Sequence, residues 1–290
     1  MTGPPDRRPA ARRPAAPRPA GRPSAGRRAA VAGVTAALLA AAAALAAVHG
    51  LPWRIGAADR TRCRQEAFVP AYFYPGAGWT RAIDSRPPPR LMILDVTSAG
   101  AGRAPDRDYQ AAVRRATAAG ITVLGYASTD YGRRPAAAVR ADVLHYRAWY
   151  RVTGIFLDEV SASPSRVGYY RRLAGFIRAA DSGGLVMLNP GTYPARQYMS
   201  IGDVVVVFEG SYASYRRLRV PRWASRYSSA RFATAIYATP ERRLASVLAL
   251  SARRRAGYVY VTASAGSNPY GSLPGYWPSE DSLIAAACRR

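Results

Sequence analysis

The feature that most constrains this chain is a repeated pair of patterns. Eight apolar runs of strand length occur in order: Phe68–Tyr74, Leu91–Val96, Ile121–Tyr126, Gly154–Glu159, Leu185–Leu188, Val204–Phe208, Phe232–Tyr237 and Tyr258–Val261. Runs without polar alternation read as strands covered on both faces, as in a parallel sheet flanked by helices. Between most of them lie segments with helical spacing, at Asp108–Ala119, Arg134–Val152, Arg166–Ala180 and Pro240–Ala256. The last has a strong start, with Thr239 as N-cap, Pro240 at the first helical position and Glu241 in the first turn. Gly120, Gly154, Gly184, Gly202 and Gly257 mark helix-to-strand junctions, as a βα repeat requires. Pro87-Pro88-Pro89 and Pro190 leave little room for the first and fifth helices. Strands and helices in this alternation predict an α/β fold, a (β/α)8 TIM barrel over residues 66–290. An open doubly wound sheet is the alternative. Against it, Tyr74-Pro75-Gly76-Ala77-Gly78-Trp79 after the first strand is a turn, not a phosphate-binding glycine loop.

The residues ahead of the barrel have a different character. Residues 1–28 are Arg, Pro, Ala and Gly with almost nothing apolar, so they predict a disordered tail. Residues 29–48 form an uncharged Ala-rich run after Arg27-Arg28, read either as a signal peptide cut after Ala46 or as an uncleaved membrane anchor. Both readings leave the tail in the cytoplasm and export the rest, through a linker over 49–65, to the outside or to the outer face of the membrane. In an exported protein the two cysteines, Cys63 and Cys288, suggest a disulfide joining the ends of the barrel. The formal charge is +25, and every basic residue is Arg. That usage reads as the codon bias of a GC-rich genome, and beyond residue 28 the arginines are dispersed in sequence, so no nucleic-acid partner is expected.

Chemistry enters where the apolar runs end. Asp95 follows Leu94, Asp158 and Glu159 follow Leu157, Asn189 follows Leu188, and Glu209 follows Phe208. Four strands thus offer a carboxylate or amide to one rim, where a parallel barrel carries its site. Paired carboxylates suit a glycosidase, one protonating the leaving oxygen and the other acting as nucleophile or base. Asp95 has an equal reading as a cap of the Thr97-Ser98 loop, and Asn189 as a turn residue before Pro190-Gly191. Adjacent strand residues point oppositely, so Glu159 shares the lumen with Asp158 only if the strand bends. Only His49 and His145 occur, neither near these acids in sequence, which argues against a zinc centre or a nucleophilic triad. No metal and no cofactor is implied. Tyr72, Tyr74, Tyr126, Tyr131, Tyr237, Tyr270 and Trp277 lie in or after the strands as candidate sugar-stacking faces.

With these residues assembled, the chain resembles the spherulin 4-like (spherulation-specific) family across roughly Val69 to Trp277. The matching pieces are Val69-Pro70-Ala71-Tyr72-Phe73-Tyr74-Pro75, Gly125-Tyr126, Thr129-Asp130-Tyr131-Gly132-Arg133-Arg134, Trp149-Tyr150, the Gly154–Glu159 run, Asn189-Pro190-Gly191, Asp203 with Phe208-Glu209-Gly210, and Asn268-Pro269-Tyr270 with Leu273-Pro274 and Tyr276-Trp277. The resemblance implies a (β/α)8 glycoside hydrolase of family 135 type, cutting α-1,4-linked N-acetylgalactosamine in microbial exopolysaccharide. It puts the essential acids on Asp158, Glu159 and Glu209. The expected roles are Glu209 as general acid/base and Asp158 as nucleophile or electrostatic partner, or the two exchanged, with retention the expected outcome. A non-catalytic glycan-binding barrel of the cell envelope is the alternative. Some relatives act on a partly deacetylated, cationic polymer; the chain beyond residue 28, at about +18, should repel it, with screening beyond ~8 Å. The expected polysaccharide is therefore acetylated or anionic.

Overall fold

A computed structural model describes residues 65–181 and 183–288. The expectations for the tail, the apolar run, the linker up to residue 64 and the Cys63–Cys288 bond fall outside the described residues and side chains. No helix among the described residues is long and apolar enough to cross a membrane.

Eight parallel strands close in sequence order: β1 Glu66–Ala71, β2 Leu91–Leu94, β3 Thr122–Ser128, β4 Gly154–Asp158, β5 Leu185–Leu188, β6 Val204–Ser211, β7 Phe232–Tyr237 and β8 Tyr258–Val261. β1 pairs with both β2 and β8, which makes the sheet a (β/α)8 barrel and excludes the open sheet. Every residue of β2, β5 and β8 is buried, so the apolar runs are covered on both faces. Gly154 opens β4 because a Cβ there would meet the Leu185 carbonyl at 2.4 Å.

The helices are α1 Ala77–Ile83, α2 Arg107–Ala118, α3 Ala136–His145, α4 Val167–Ala180, α5 Tyr212–Tyr215, α6 Leu244–Arg253 and α7 Trp277–Cys288. Asp106 caps α2 by accepting from the amides of Asp108 and Tyr109, and Tyr109, Val113 and Ala116 bury one face of it. After β5 there is only a 3-10 stretch, Arg196–Ser200, as the proline at 190 foretold. After β6 the single turn of α5 gives way to 3-10 stretches at Arg222–Arg226 and Ser229–Arg231.

Two helix expectations are corrected. Thr239 does not cap α6. Its amide is committed to the Thr262 carbonyl, which ties the exit of β7 to β8, and its buried hydroxyl turns back to Tyr237. A 3-10 turn at Glu241–Arg243 follows instead, and α6 starts at Leu244. The Arg134–Val152 segment becomes α3 plus a π turn at Tyr146–Tyr150 that ends on left-handed Arg151. That wider turn lets the Tyr146 ring lie on Gly125, where any Cβ would come within 2.4 Å of it.

Candidate active site

The carboxyl ends of β4 to β7 enclose a cleft of about 360 Å³ lined by Tyr131, Asp158, Glu159, Asn189, Glu209 and Tyr237, with Pro190 and Gly191. Asp158 is the last residue of β4 and continues the inward face of Phe156, whose ring stacks on Tyr126 from β3. Tyr126 donates its hydroxyl to Asp158 Oδ2 at 2.7 Å, and Asn189 donates Nδ2 to Asp158 Oδ1 at 2.7 Å. The same Nδ2 reaches Glu209 Oε2 at 2.5 Å. One nitrogen therefore stands between two carboxylates and keeps their facing oxygens no more than about 5 Å apart. The amide cannot turn over, because its Oδ1 accepts from the Gly191 amide at 3.0 Å. The turn and amide readings of Asn189 are both met by one side chain.

Glu209 reaches the lumen through a break in the strand. β6 pairs with β7 as Val206↔Ala233 and then Phe208↔Thr234, which leaves Val207 as an extra residue, a β-bulge. In an unbroken strand Glu209 would share a face with Val205 and Val207. With the bulge, Phe208 turns outward onto Tyr215, at a ring separation of 4.7 Å, and Glu209 turns inward. The Glu209 amide also donates to the Gly191 carbonyl at 3.0 Å, so one loop fixes both Asn189 and Glu209.

Glu159 settles the question its position raised. The chain bends after Asp158, Glu159 takes a left-handed φ of 50°, and its carboxylate joins the cleft, where Ser128 donates to it at 2.5 Å. Asp130 and Tyr131 are left-handed too, at φ 47° and 52°. Such residues cost about 1–2 kcal/mol each and persist where the surroundings hold them. Here the Tyr131 amide donates to the Glu159 carbonyl at 2.7 Å, and the buried Thr129 hydroxyl serves the Asp158 and Glu159 carbonyls at 2.7 and 2.9 Å. Ser128 and Thr129 were not singled out from sequence as site residues, although Thr129 opens the quoted Thr129–Arg134 motif.

Burial, then the charge of Glu209, pushes Asp158 up to about 7, against the pull of the Tyr126 and Asn189 donors. Burial raises Glu209 also. Near neutral pH the two carboxyls thus hold one proton between them. Among the described residues no group of His, Cys, Asp and Glu has the geometry to hold a metal ion.

The other residues named from sequence are distributed unevenly. Asp95 is buried and accepts from the Ser98 amide at 2.7 Å, so it caps its own loop and does not line the cleft. Tyr237 lines the cleft, as does Tyr131, which is 51% exposed. Tyr72 lies edge-on between Tyr126 and Tyr270, and the negative charges of Asp158 and Glu209 reach it, so these three rings form a floor under the carboxylates. Tyr74 points away and donates to Asp106 and Asp108 at the start of α2. Trp277 is corrected outright: it begins α7, is 1% exposed and packs on Tyr260, so no sugar reaches it.

Comparison with known proteins agrees with this architecture. Spherulin-4 of Physarum polycephalum is 31% identical over 230 residues, covering 75% of this chain and 69% of that protein. The crystal structure of Aspergillus clavatus Sph3 in complex with GalNAc matches with a TM-score of 0.68 at 26% identity, over 78% of this chain and 99% of that one. The spore cortex-lytic enzyme SleL of Bacillus cereus shares the fold alone, with a TM-score of 0.56 at 9% identity over 78% of this chain and 75% of that one. The family model described as spherulation-specific family 4 matches residues 66–284, nearly the whole barrel, and the chain belongs to that family.

Proposed function

We propose that this protein is a glycoside hydrolase that cuts α-1,4-linked N-acetylgalactosamine-type exopolysaccharide by a retaining, two-carboxylate mechanism. The observation that carries the reading is the Asn189 amide shared between Asp158 and Glu209. In the form of the pair whose shared proton lies on Glu209, leaving Asp158 ionised, Glu209 protonates the glycosidic oxygen as it leaves. Asp158, whose anion two donors stabilise, attacks the anomeric carbon from the other face, and Glu209 then draws a proton from the water that releases the sugar. Glu159, anchored on Ser128, faces the same cleft and positions substrate. Tyr131 and Tyr237 supply flat rims for the sugar rings. The choice of sugar is supported by the GalNAc complex of Aspergillus clavatus Sph3. The 29–48 apolar run supports export of the barrel.

Reducing-sugar release from a panel of hexosamine polysaccharides, run beside Glu209→Gln, tests the reading. Release from the α-1,4-N-acetylgalactosamine polymer that the variant loses is the expected result. Glycan affinity with no release from any polymer would instead make the protein a binding barrel. The acetylated form should be cut faster than the deacetylated, cationic form at low salt, and equal rates would remove the role assigned to the barrel's charge.

The shared proton sets the pH profile. kcat/KM should fall above about pH 7, where the pair loses its proton. Tyr126→Phe removes a bond that stabilises the Asp158 anion, so this limb should move to higher pH. A limb that stays in place in Tyr126→Phe would disconnect it from Asp158.

A further inference from the structure

Dispersed in sequence, the arginines are gathered by the fold. Residues 212–255 contain eleven arginines and one acid, Glu241. Arg254 donates to the carbonyls of Tyr215 and Arg216, and Arg255 donates to that of Tyr227. These bonds draw the loop carrying Arg216, Arg217, Arg219, Arg222 and Arg226 against the Arg253–Arg255 triplet at the end of α6. The five loop arginines are exposed, as are Arg253 and Arg255. None of the seven makes an ion pair with a described residue, whereas Arg115, Arg133, Arg134 and Arg178 do. Of the acids alongside, Asp203 is held by Arg178, and Glu66 and Asp281 line one pocket with Arg90. Codon bias can exchange lysine for arginine, but it does not clear one flank of acids.

The position of the cluster gives it a partner. α6 runs antiparallel to the strands, so its end lies at the amino-terminal pole of the barrel, opposite the cleft. The chain enters β1 at that pole: the Glu66 amide donates to the Gly257 carbonyl at 2.8 Å and Gln65 Nε2 to the Ala256 carbonyl at 3.1 Å. The described chain therefore begins at that pole, next to Arg255, and the residues that precede it in sequence include the apolar run 29–48. We infer that this arginine pole docks on an anionic lipid surface, with the cleft facing away from it. Arginine heads suit phosphate oxygens through bidentate hydrogen bonds, and their attraction to a charged bilayer fades within a Debye length.

The test is flotation of the full chain with phosphatidylglycerol-rich vesicles and with pure phosphatidylcholine vesicles, at low and high salt. Arg216→Gln, Arg217→Gln, Arg226→Gln and Arg253→Gln are combined in one variant; none of these side chains has a described partner to lose. A control removes equal charge from the cleft end through Arg103→Gln, Arg107→Gln, Arg242→Gln and Arg243→Gln. At roughly fivefold in partition per arginine near the surface, the pole variant should lose at least about a hundredfold on the anionic vesicles at low salt. The control should stay within a few-fold. Equal losses in both variants, or equal binding to both lipids, would overturn the inference. So would binding to soluble polygalacturonate that depends on the pole arginines without any vesicle binding, since that assigns the surface to an acidic polymer.

Discussion

Asp158→Asn should lose at least about 10³-fold of turnover and yet melt several degrees higher than the unaltered protein at pH 7. The first effect follows from removing the nucleophile. The second follows from the direction of its pKa. In the folded protein Asp158 keeps its proton up to about 7, whereas in an unfolded chain it releases it near the ordinary value of 3.8. The folded state therefore binds more protons between these limits, and its stability declines as pH rises through that window. At ~1.4 kcal/mol per unit the cost approaches 4 kcal/mol, and solvent reaching the cleft reduces it to the order of 2–4 kcal/mol. Asparagine carries no charge and fits the same bonds: its oxygen faces the Asn189 amide, and its NH₂ faces the Tyr126 hydroxyl, which accepts as readily as it donates. Scanning calorimetry at pH 5 and pH 7 checks this. The variant should gain more over the parent at pH 7 than at pH 5, which lies only part of the way into the window, and a gain of the same size at both would tie the effect to packing instead of charge.

This opposition of stability and chemistry is what a site built on buried acids entails, and it also explains which parts of the site can be read in the sequence. The strands were legible because both faces of each are covered, which leaves apolar runs of clear length. The same property hides the phase. Val204 to Val207 carry no alternation, so nothing in the run says that Val207 is extra and that Glu209, not Phe208, turns inward. The bend at Glu159 was hidden for a related reason. It depends on Thr129 and the Tyr131 amide, which come from another strand's end and belong to no local pattern. Asp95 and Asp158 both end an apolar run, and only tertiary context makes one a loop cap and the other a cleft residue. Trp277 failed because a residue following the last strand can open a loop or begin a helix; a proline right after it, at 278, suits the first turn of a helix and was the available signal.

Asn189→Asp should be the inverse of Asp158→Asn, losing at least about 10²-fold in turnover while melting lower at pH 7. The substitution keeps the oxygen that accepts from the Gly191 amide, so the turn after β5 is preserved. It replaces the nitrogen that separates the two carboxylates with an oxygen at the same place, 2.7 Å from Asp158 and 2.5 Å from Glu209. Three acids then share one desolvated pocket, and like charges at that distance cannot all ionise. The fold responds by taking up another proton, which raises the pKa of the cluster and moves the upper limb of kcat/KM to higher pH. Because those protons bind more tightly in the folded state than in the unfolded chain, the loss of stability should be largest at neutral pH and shrink as the medium is acidified. Asn189→Ala separates charge from geometry: it removes the donor without adding an acid, so it should lose turnover with a smaller fall in melting temperature at pH 7. If Asn189→Asp melted like Asn189→Ala at pH 7, the amide would be serving the turn alone. The bridge between Asp158 and Glu209 would then have no part in holding the two acids in working order.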